Sequence, residues 1–366
     1  MIQYWVAKQL VLRMTGAAAV SFLLVLLLAP RVIRFLVRKK VGDRPEFDHA
    51  ALNEMTRYKS DTPTMGGALI ALAIFVSTLL FADLGSFYVR MALVCLVWLA
   101  VLGGVDDWIK LHAKPGDSRD GLKMPEKMLF QIGLAVLLAC FIYSHGRDST
   151  YVDYAGRSIN AVRHFYLPFR ARPIPLMTVA FVVTTVLTMV GSSNAVNLTD
   201  GMDGLASGCM MVVAVVFLLL AWIAGNGNYA NYLHLPFVPQ AAELSIVCAA
   251  IIGACAGFLW YNCSPAQVFM GDTGSLPLGG LIGYIAVVTR QEPLLLVAGG
   301  VFVMEAVSVI TQVLYYRLTG GKRVFRCAPI HHHFHLSGWP ETKVVARFWV
   351  LAIVFAALAL ATLKLR

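Results

Sequence analysis

The sequence predicts an all-α polytopic membrane protein with about ten transmembrane helices, and three observations carry that prediction. Hydrophobic residues fill 58% of the 366 positions and charged residues only 14%, where soluble domains carry roughly 25% charged. Apolar runs close to the roughly 20 residues that span hydrocarbon recur from end to end. These runs are unbroken, whereas a transmembrane barrel would show short alternating segments. The chain reads as a single integral membrane domain over 1–366.

Taken in order, the spans fall near 17–37, 66–84, 89–107, 128–144, 174–192, 205–224, 243–260, 275–290, 294–316 and 346–364. The first is too long and too late for a cleaved signal peptide and reads as a retained helix. The second follows the tight turn TPTMGG, and the third ends on the adjacent Asp106 and Asp107. After the fourth comes the segment 145–175, with five Arg, aromatics and Pro-rich ends, which reads as a folded extracytoplasmic hairpin or short helix. The fifth and sixth spans flank NAVNLTDGMDG, and the seventh and eighth flank NCSPAQVFMGDTGS. The ninth and tenth flank a loop that contains APIHHHFHLSGWPE.

Ten spans place loops 38–65, 108–127, 193–204, 261–274 and 317–345 on one face. With Arg347 that face holds 17 of the 30 Lys and Arg; the other face and both tails hold 11, and Arg31 and Arg34 lie within the first span. The positive-inside rule makes the richer face cytoplasmic. The formal charge of +10 fits Lys and Arg held against anionic lipid, and nothing resembles a nucleic-acid module. Seven scattered cysteines without a CxxC pair read as small buried side chains, with no disulfide framework.

Every unusual polar cluster falls on the cytoplasmic face: KSDTPTMGG, VDDWIK, NAVNLTDGMDG, NCSPAQVFMGDTGS and APIHHHFHLSGWPE. Together they point to one composite site. Asp106 and Asp107 are adjacent, so on a helix their side chains diverge by about 100° and address different places. Asp200 and Asp203 share roughly one helical face, and Asp272 stands between two glycines at the start of a span. Each alone could mark or cap a helix end. Clustered, they would raise one another's pKa unless a cation sat among them. All-oxygen ligands with Asn neighbours suit Mg²⁺.

The glycines of FMGDTGS allow backbone N–H groups close to an anion at a helix start, although the pattern is no Walker motif. A plain turn between two helices explains those glycines but not the neighbouring Asn262, Asp272 and Ser275. Three consecutive histidines, His331, His332 and His333, fan out on a helix and cannot all ligate one ion. They read better as imidazoles for phosphate oxygens. Lys59, Lys110, Lys114, Lys123 and Lys127 are cytoplasmic cations close to the acidic loops, able to stabilise a polyanion.

TPTMGG (62–67), NAVNLTDGMDGLA (194–206), VFMGDTGS (268–275) and APIHHHFHLSGWPE (328–341) together resemble the phospho-N-acetylmuramoyl-pentapeptide transferase (translocase I) family. That family lies in the polyprenyl-phosphate N-acetylhexosamine-1-phosphate transferase superfamily, and the resemblance covers residues 55 to 350. It implies transfer of phospho-N-acetylmuramoyl-pentapeptide from its UDP-linked form to undecaprenyl phosphate, with UMP leaving, lipid I remaining in the bacterial cytoplasmic (inner) membrane, and Mg²⁺ required. Carried over by position, Asp272 is the principal Mg²⁺ ligand, Asp106 the general base (or nucleophile of a two-step route), with Asp107 beside it, and His331 the histidine closest to the chemistry. Asn194, Asn197, Asp200, Asp203 and Asn262 match the pocket for nucleotide and pyrophosphate. Lys59, Thr64, Lys127, Phe269, Gly271, Ser275, Gln312, His332 and His333 join the substrate-binding set. A membrane homodimer is implied as well. Trp108 stands where Tyr or Phe is common, and Met202 where Leu is common.

Two rivals remain open on sequence. A sister transferase using UDP-N-acetylglucosamine shares most motifs, but the histidine run favours the muramoyl substrate. An ion-coupled transporter would place its carboxylates near the midplane, often with repeat symmetry; here they lie at span ends and no repeat is evident.

Overall fold

A computed structural model describes residues 9–38, 59, 62–112, 121–153, 156–170 and 172–364. Most of loop 38–65 and the expected cation Lys114 lie outside these residues. Among them run thirteen α-helices: α1 (Leu10–Arg38), α2 (Gly67–Phe81), α3 (Phe87–His112), α4 (Met124–Gly146), α5 (Thr178–Thr199), α6 (Leu205–Ala224), α7 (Gly227–Tyr232), α8 (Leu244–Asn262), α9 (Asp272–Val288), α10 (Glu292–Ala298), α11 (Gly300–Leu318), α12 (Ile330–Leu336) and α13 (Glu341–Ala361). Eight are long and apolar enough to cross a membrane: α1, α3, α4, α5, α6, α8, α11 and α13. The protein is an all-α, multi-pass membrane protein.

All ten apolar runs fold as helix, and eight of the helices have the length and composition to cross a membrane. Helices α2 and α9 are apolar yet only 15 and 17 residues long. The run expected as one span over 294–316 is two helices, α10 and α11, parted at Gly299, where consecutive glycines weaken the ladder. Helix α5 continues through Thr199, so Asn194 and Asn197 stand on a helix and not in a loop. Their side chains bond to neighbouring helices, which lets polar residues extend the element. Between α4 and α5, strands β1 (Thr150–Val152) and β2 (Ser158–Asn160) form one antiparallel pair, and β3 (His164–Phe165) with β4 (Ile174–Pro175) a second, so the segment 145–175 is the expected hairpin.

Helix α9 is buried along its entire length, enclosed chiefly by α2, α3, α5 and α6. Small residues permit the approach, as is usual where lipid removes the hydrophobic drive between helices. A methyl group on Gly279 would stand 2.7 Å from Ser193 Cα, and Ser192 and Ser193 donate across the seam to Gly279 O (2.7 Å) and Leu276 O (3.0 Å). On the other side of the bundle α8 packs on α1, where Ser21 Oγ donates to Ala250 O at 2.8 Å. This packing fixes the first residue of α9 against the ends of α3 and α5.

Candidate active site

Asp106 and Asp107 occupy the last turns of α3, both buried. Asp107 caps α9: its Oδ1 accepts from Asp272 N–H (3.1 Å), and its Oδ2 accepts from Thr273 N–H (2.9 Å) and Thr273 Oγ1 (2.6 Å). A carboxylate suits the positive end of a helix. Asp106 accepts from Leu122 N–H (2.8 Å) through Oδ1, while its Oδ2 lies 2.7 Å from Lys110 Nζ and 3.7 Å from Lys127 Nζ. Asp272 accepts from Asn197 Nδ2 at 2.6 Å and pairs with Lys127, and Lys110 Nζ stands 3.4 Å away. Asn197 also donates to Ser275 Oγ at 2.9 Å.

Adjacent aspartates therefore make different bonds, as expected, but they do not address different places. One oxygen from each of Asp106, Asp107 and Asp272 falls within 4.8 Å of the others. The start of α9 lies over both α3 side chains, and this tertiary contact offsets their divergence on the helix.

These groups border a cavity of about 250 Å³. Of the residues expected in the site, Lys59, Thr64, Asp107, Asn197, Asp200, Asp203, Asn262, Phe269, Gly271 and Asp272 line it. Thr64 and Phe269 come together because Phe269 N–H donates to Pro63 O and Gly66 N–H to Phe269 O, each at 2.8 Å. Lys59 Nζ stands 5.9 Å from the centre of the Phe269 ring. Asn262 braces the wall by accepting from Gly204 N–H (3.0 Å) and donating to Val268 O (2.9 Å). Burial, then the charges of Asp272 and Asp107, hold the Asp200 carboxyl well above the usual carboxylate range. Burial and the neighbouring Glu341 likewise push Asp203 up, against the pull of Lys59.

Asp106, Lys127 and Ser275 stand directly behind the lining, bonded to it as described. The remaining residues do not line the cavity. Asn194 donates to Gln131 Oε1 and Val190 O, both at 2.8 Å, and Gln312 braces the backbone of 324 and 325. The three histidines fan out on α12 as expected. His333 Nδ1 accepts from Arg326 N–H at 3.1 Å, whereas His331 and His332 are buried with ring centres 4.1 Å apart. His331 Nδ1 lies 3.1 Å from Glu305, and its Nε2 faces Gly201, a wall residue of the cavity.

Sequence reasoning passed over Glu305 and gave Glu341 and Lys110 no individual role. Signals for two of them existed. Lys110 follows Asp106 by four residues, the spacing of a helical ion pair, and Glu305 is an ionisable residue within an apolar run.

The family model for glycosyl transferase family 4 matches residues 89–290. Over 361 residues the chain is 45% identical to the phospho-N-acetylmuramoyl-pentapeptide-transferase of Desulfotalea psychrophila, covering 99% of this chain and 95% of that protein. It is 41% identical, with the same coverage, to the protein of that name from Oleidesulfovibrio alaskensis. The chain belongs to the phospho-N-acetylmuramoyl-pentapeptide-transferase family, within glycosyl transferase family 4. The match over 89–290 begins within α3 and runs past the end of α9, so both helices that meet at the three carboxylates fall inside it. The family resemblance read from the motifs is thereby borne out.

Proposed function

We propose that this protein transfers phospho-N-acetylmuramoyl-pentapeptide from UDP to undecaprenyl phosphate, releasing UMP and leaving lipid I in the membrane. The observation that carries this reading is a cavity at helix ends, at whose edge three acidic groups and two lysines meet, in a chain 45% identical to a phospho-N-acetylmuramoyl-pentapeptide-transferase. The bacterial cytoplasmic membrane is the compartment where both substrates meet, with the cavity facing the cytoplasm.

The donor set fits a hard divalent cation. Oxygens of Asp106, Asp107 and Asp272 lie close together, and Asn197 orients Asp272. Asp107 is committed to the backbone of α9 and Asp106 is kept for proton transfer, so Asp272 is the residue that would hold Mg²⁺, and Lys127 would yield its oxygen. Magnesium bound there supplies charge neutralisation for the pyrophosphate and the departing UMP.

The chain's own residues do the rest. The ammonium groups of Lys110 and Lys127, beside Asp106 and Asp272, would lower the repulsion between two approaching polyanions. Asp106 takes the residual proton from the lipid phosphate, a nucleophile that needs little further activation. The aromatic face of Phe269 beside Lys59 offers a wall for the planar uracil ring. Fixing both substrates in line removes much of the entropic barrier. An apolar groove of about 480 Å³, walled chiefly by α5, α10 and α11, reaches Ala195 and Val196 next to Asn197; its lining suits isoprenoid units.

Purified protein given undecaprenyl phosphate and UDP-N-acetylmuramoyl-pentapeptide should release UMP and form lipid I only when Mg²⁺ is present. Release from UDP-N-acetylglucosamine instead would move the protein to a sister branch. Silence with every UDP-sugar would refute the transferase reading.

A further inference from the structure

Glu341 opens α13 and is buried. Its Oε1 accepts from two donors, Lys59 Nζ at 2.6 Å and Asp203 N–H at 2.8 Å. Lys59 also donates to Asp203 Oδ1 at 2.6 Å, and Asp203 Oδ2 accepts from Ala266 N–H at 3.0 Å. Lys59 and Asp203 line the cavity, while Glu341 stands behind them. One carboxylate from the last helix thus joins two wall residues that lie 144 positions apart in the chain.

We propose that Glu341 is a positioning residue that holds Lys59 and the Asp203 turn in the geometry that receives the nucleotide half of the substrate. Asp203 alone cannot do this. It sits in a turn between glycines, Gly201 and Gly204, the latter at φ +78°, and without Glu341 its buried N–H would lose its acceptor. Lys59 is a long, rotatable side chain whose ammonium is useful only when already placed. Two carboxylates on either side fix that ammonium beside Phe269. A third segment, the start of α13, is therefore part of the binding wall's support.

The inference rests on the nucleotide-sugar reading above. Turnover by the unsubstituted protein tests that reading, and only the coupling between Glu341 and Lys59 tests this one. The measurement is UDP affinity by titration calorimetry on the full-length protein, with steady-state turnover beside it, for Glu341→Gln, Lys59→Met and the double variant. Glu341→Gln keeps size and an oxygen for Asp203 N–H. It should weaken UDP about tenfold, the scale of one charge-assisted hydrogen bond, and raise the KM for the UDP-sugar in step, while kcat moves less than about twofold, as for lost uniform binding. In the Lys59→Met background the same change should add nothing.

An equal loss of affinity in both backgrounds would show a merely structural role and overturn the proposal. A fall in KM would overturn it too, because Glu341 would then be repelling the substrate. Glu341→Asp, which keeps the charge on a shorter stem, should bind UDP better than Glu341→Gln; weaker binding would count against positioning by charge.

Discussion

Gly103 offers the sharpest test of how the site is held together. It lies on α3 against the first turn of α9, where an added methyl group would collide with Asp272 O and C and stand 2.7 Å from Thr273 N. All of these are backbone atoms, so no side-chain rotation relieves the clash. Moving Asp272 O out to the 3.4 Å of ordinary contact takes about 1.3 Å, and overpacking of this kind costs about 1–3 kcal/mol. The same shift would stretch Asp107's bonds to Asp272 N–H and Thr273 N–H, now 3.1 and 2.9 Å, past about 3.5 Å, outside hydrogen-bonding range. Asp272 would leave Asp106, and misplacement near 1 Å costs about a hundredfold in rate.

Gly103→Ala should therefore lose about a hundredfold in kcat/KM, read as UMP release, and about 1–3 kcal/mol in thermal unfolding. Gly104→Ala is the internal control. Among the described residues its methyl would meet only Thr273 Oγ1 and Cγ2, at 3.8 and 3.9 Å, and alanine favours a helix by about 1 kcal/mol over glycine. That variant should keep activity and stability. If Gly103→Ala is as active and stable as Gly104→Ala, the close approach of α3 to α9 does not set the site's geometry.

Three further outcomes are expected. Asp272→Asn should lose about a hundredfold or more in turnover, the scale of a removed electrostatic stabiliser, together with its response to Mg²⁺; full turnover at ordinary Mg²⁺ would remove Asp272 from its assigned role. Burial, then His331, His335 and Lys59, depress the pKa of His332 in the folded protein. Its contribution is therefore present above the unfolded value near 6.5 and is lost as pH falls below it, by up to about 1.4 kcal/mol per pH unit. Thermal melts at pH 7.5, 6.5 and 5.5 should show that slope reduced in His332→Gln, and identical slopes in the two proteins would refute it. Direct attack by the lipid phosphate inverts a chirally labelled β-phosphorus, whereas retention would establish an aspartyl-phosphate intermediate and give Asp106 the nucleophile's role.

Hydropathy located every apolar helix, because burial in lipid and burial in protein demand the same residues. For that reason it could not separate lipid-facing helices from enclosed ones: α9 reads like its neighbours in sequence, yet it is a helix that protein surrounds. The break at Gly299 was equally hidden, since glycine is common inside membrane helices. In the site, residue types singled out Asp106, Asp107, Asp200, Asp203 and Asp272, which the fold gathers at one cavity and its edge. Convergence of the two adjacent aspartates could not be read from helical geometry alone, because a third segment supplies it. Gln312 and Asn194 carry polar side chains close to the motifs, but their hydrogen bonds run to loops and neighbouring helices. Glu341 closed a recognised motif, and its partners at 59 and 203 were too distant in sequence to suggest a bond.

The enclosure of α9 has a consequence for how such an enzyme tolerates its surroundings. A bilayer that thickens or thins pulls on helices that touch lipid, which answer by tilting at a modest cost per ångström. Helix α1, with Leu23, Leu27 and Phe35 exposed, is such a helix. The helix bearing Asp272 has no lipid-facing side, so changes in the membrane reach it only through the helices around it. The placement of Asp272 is thereby set by protein packing, with an outer ring of helices serving as the suspension.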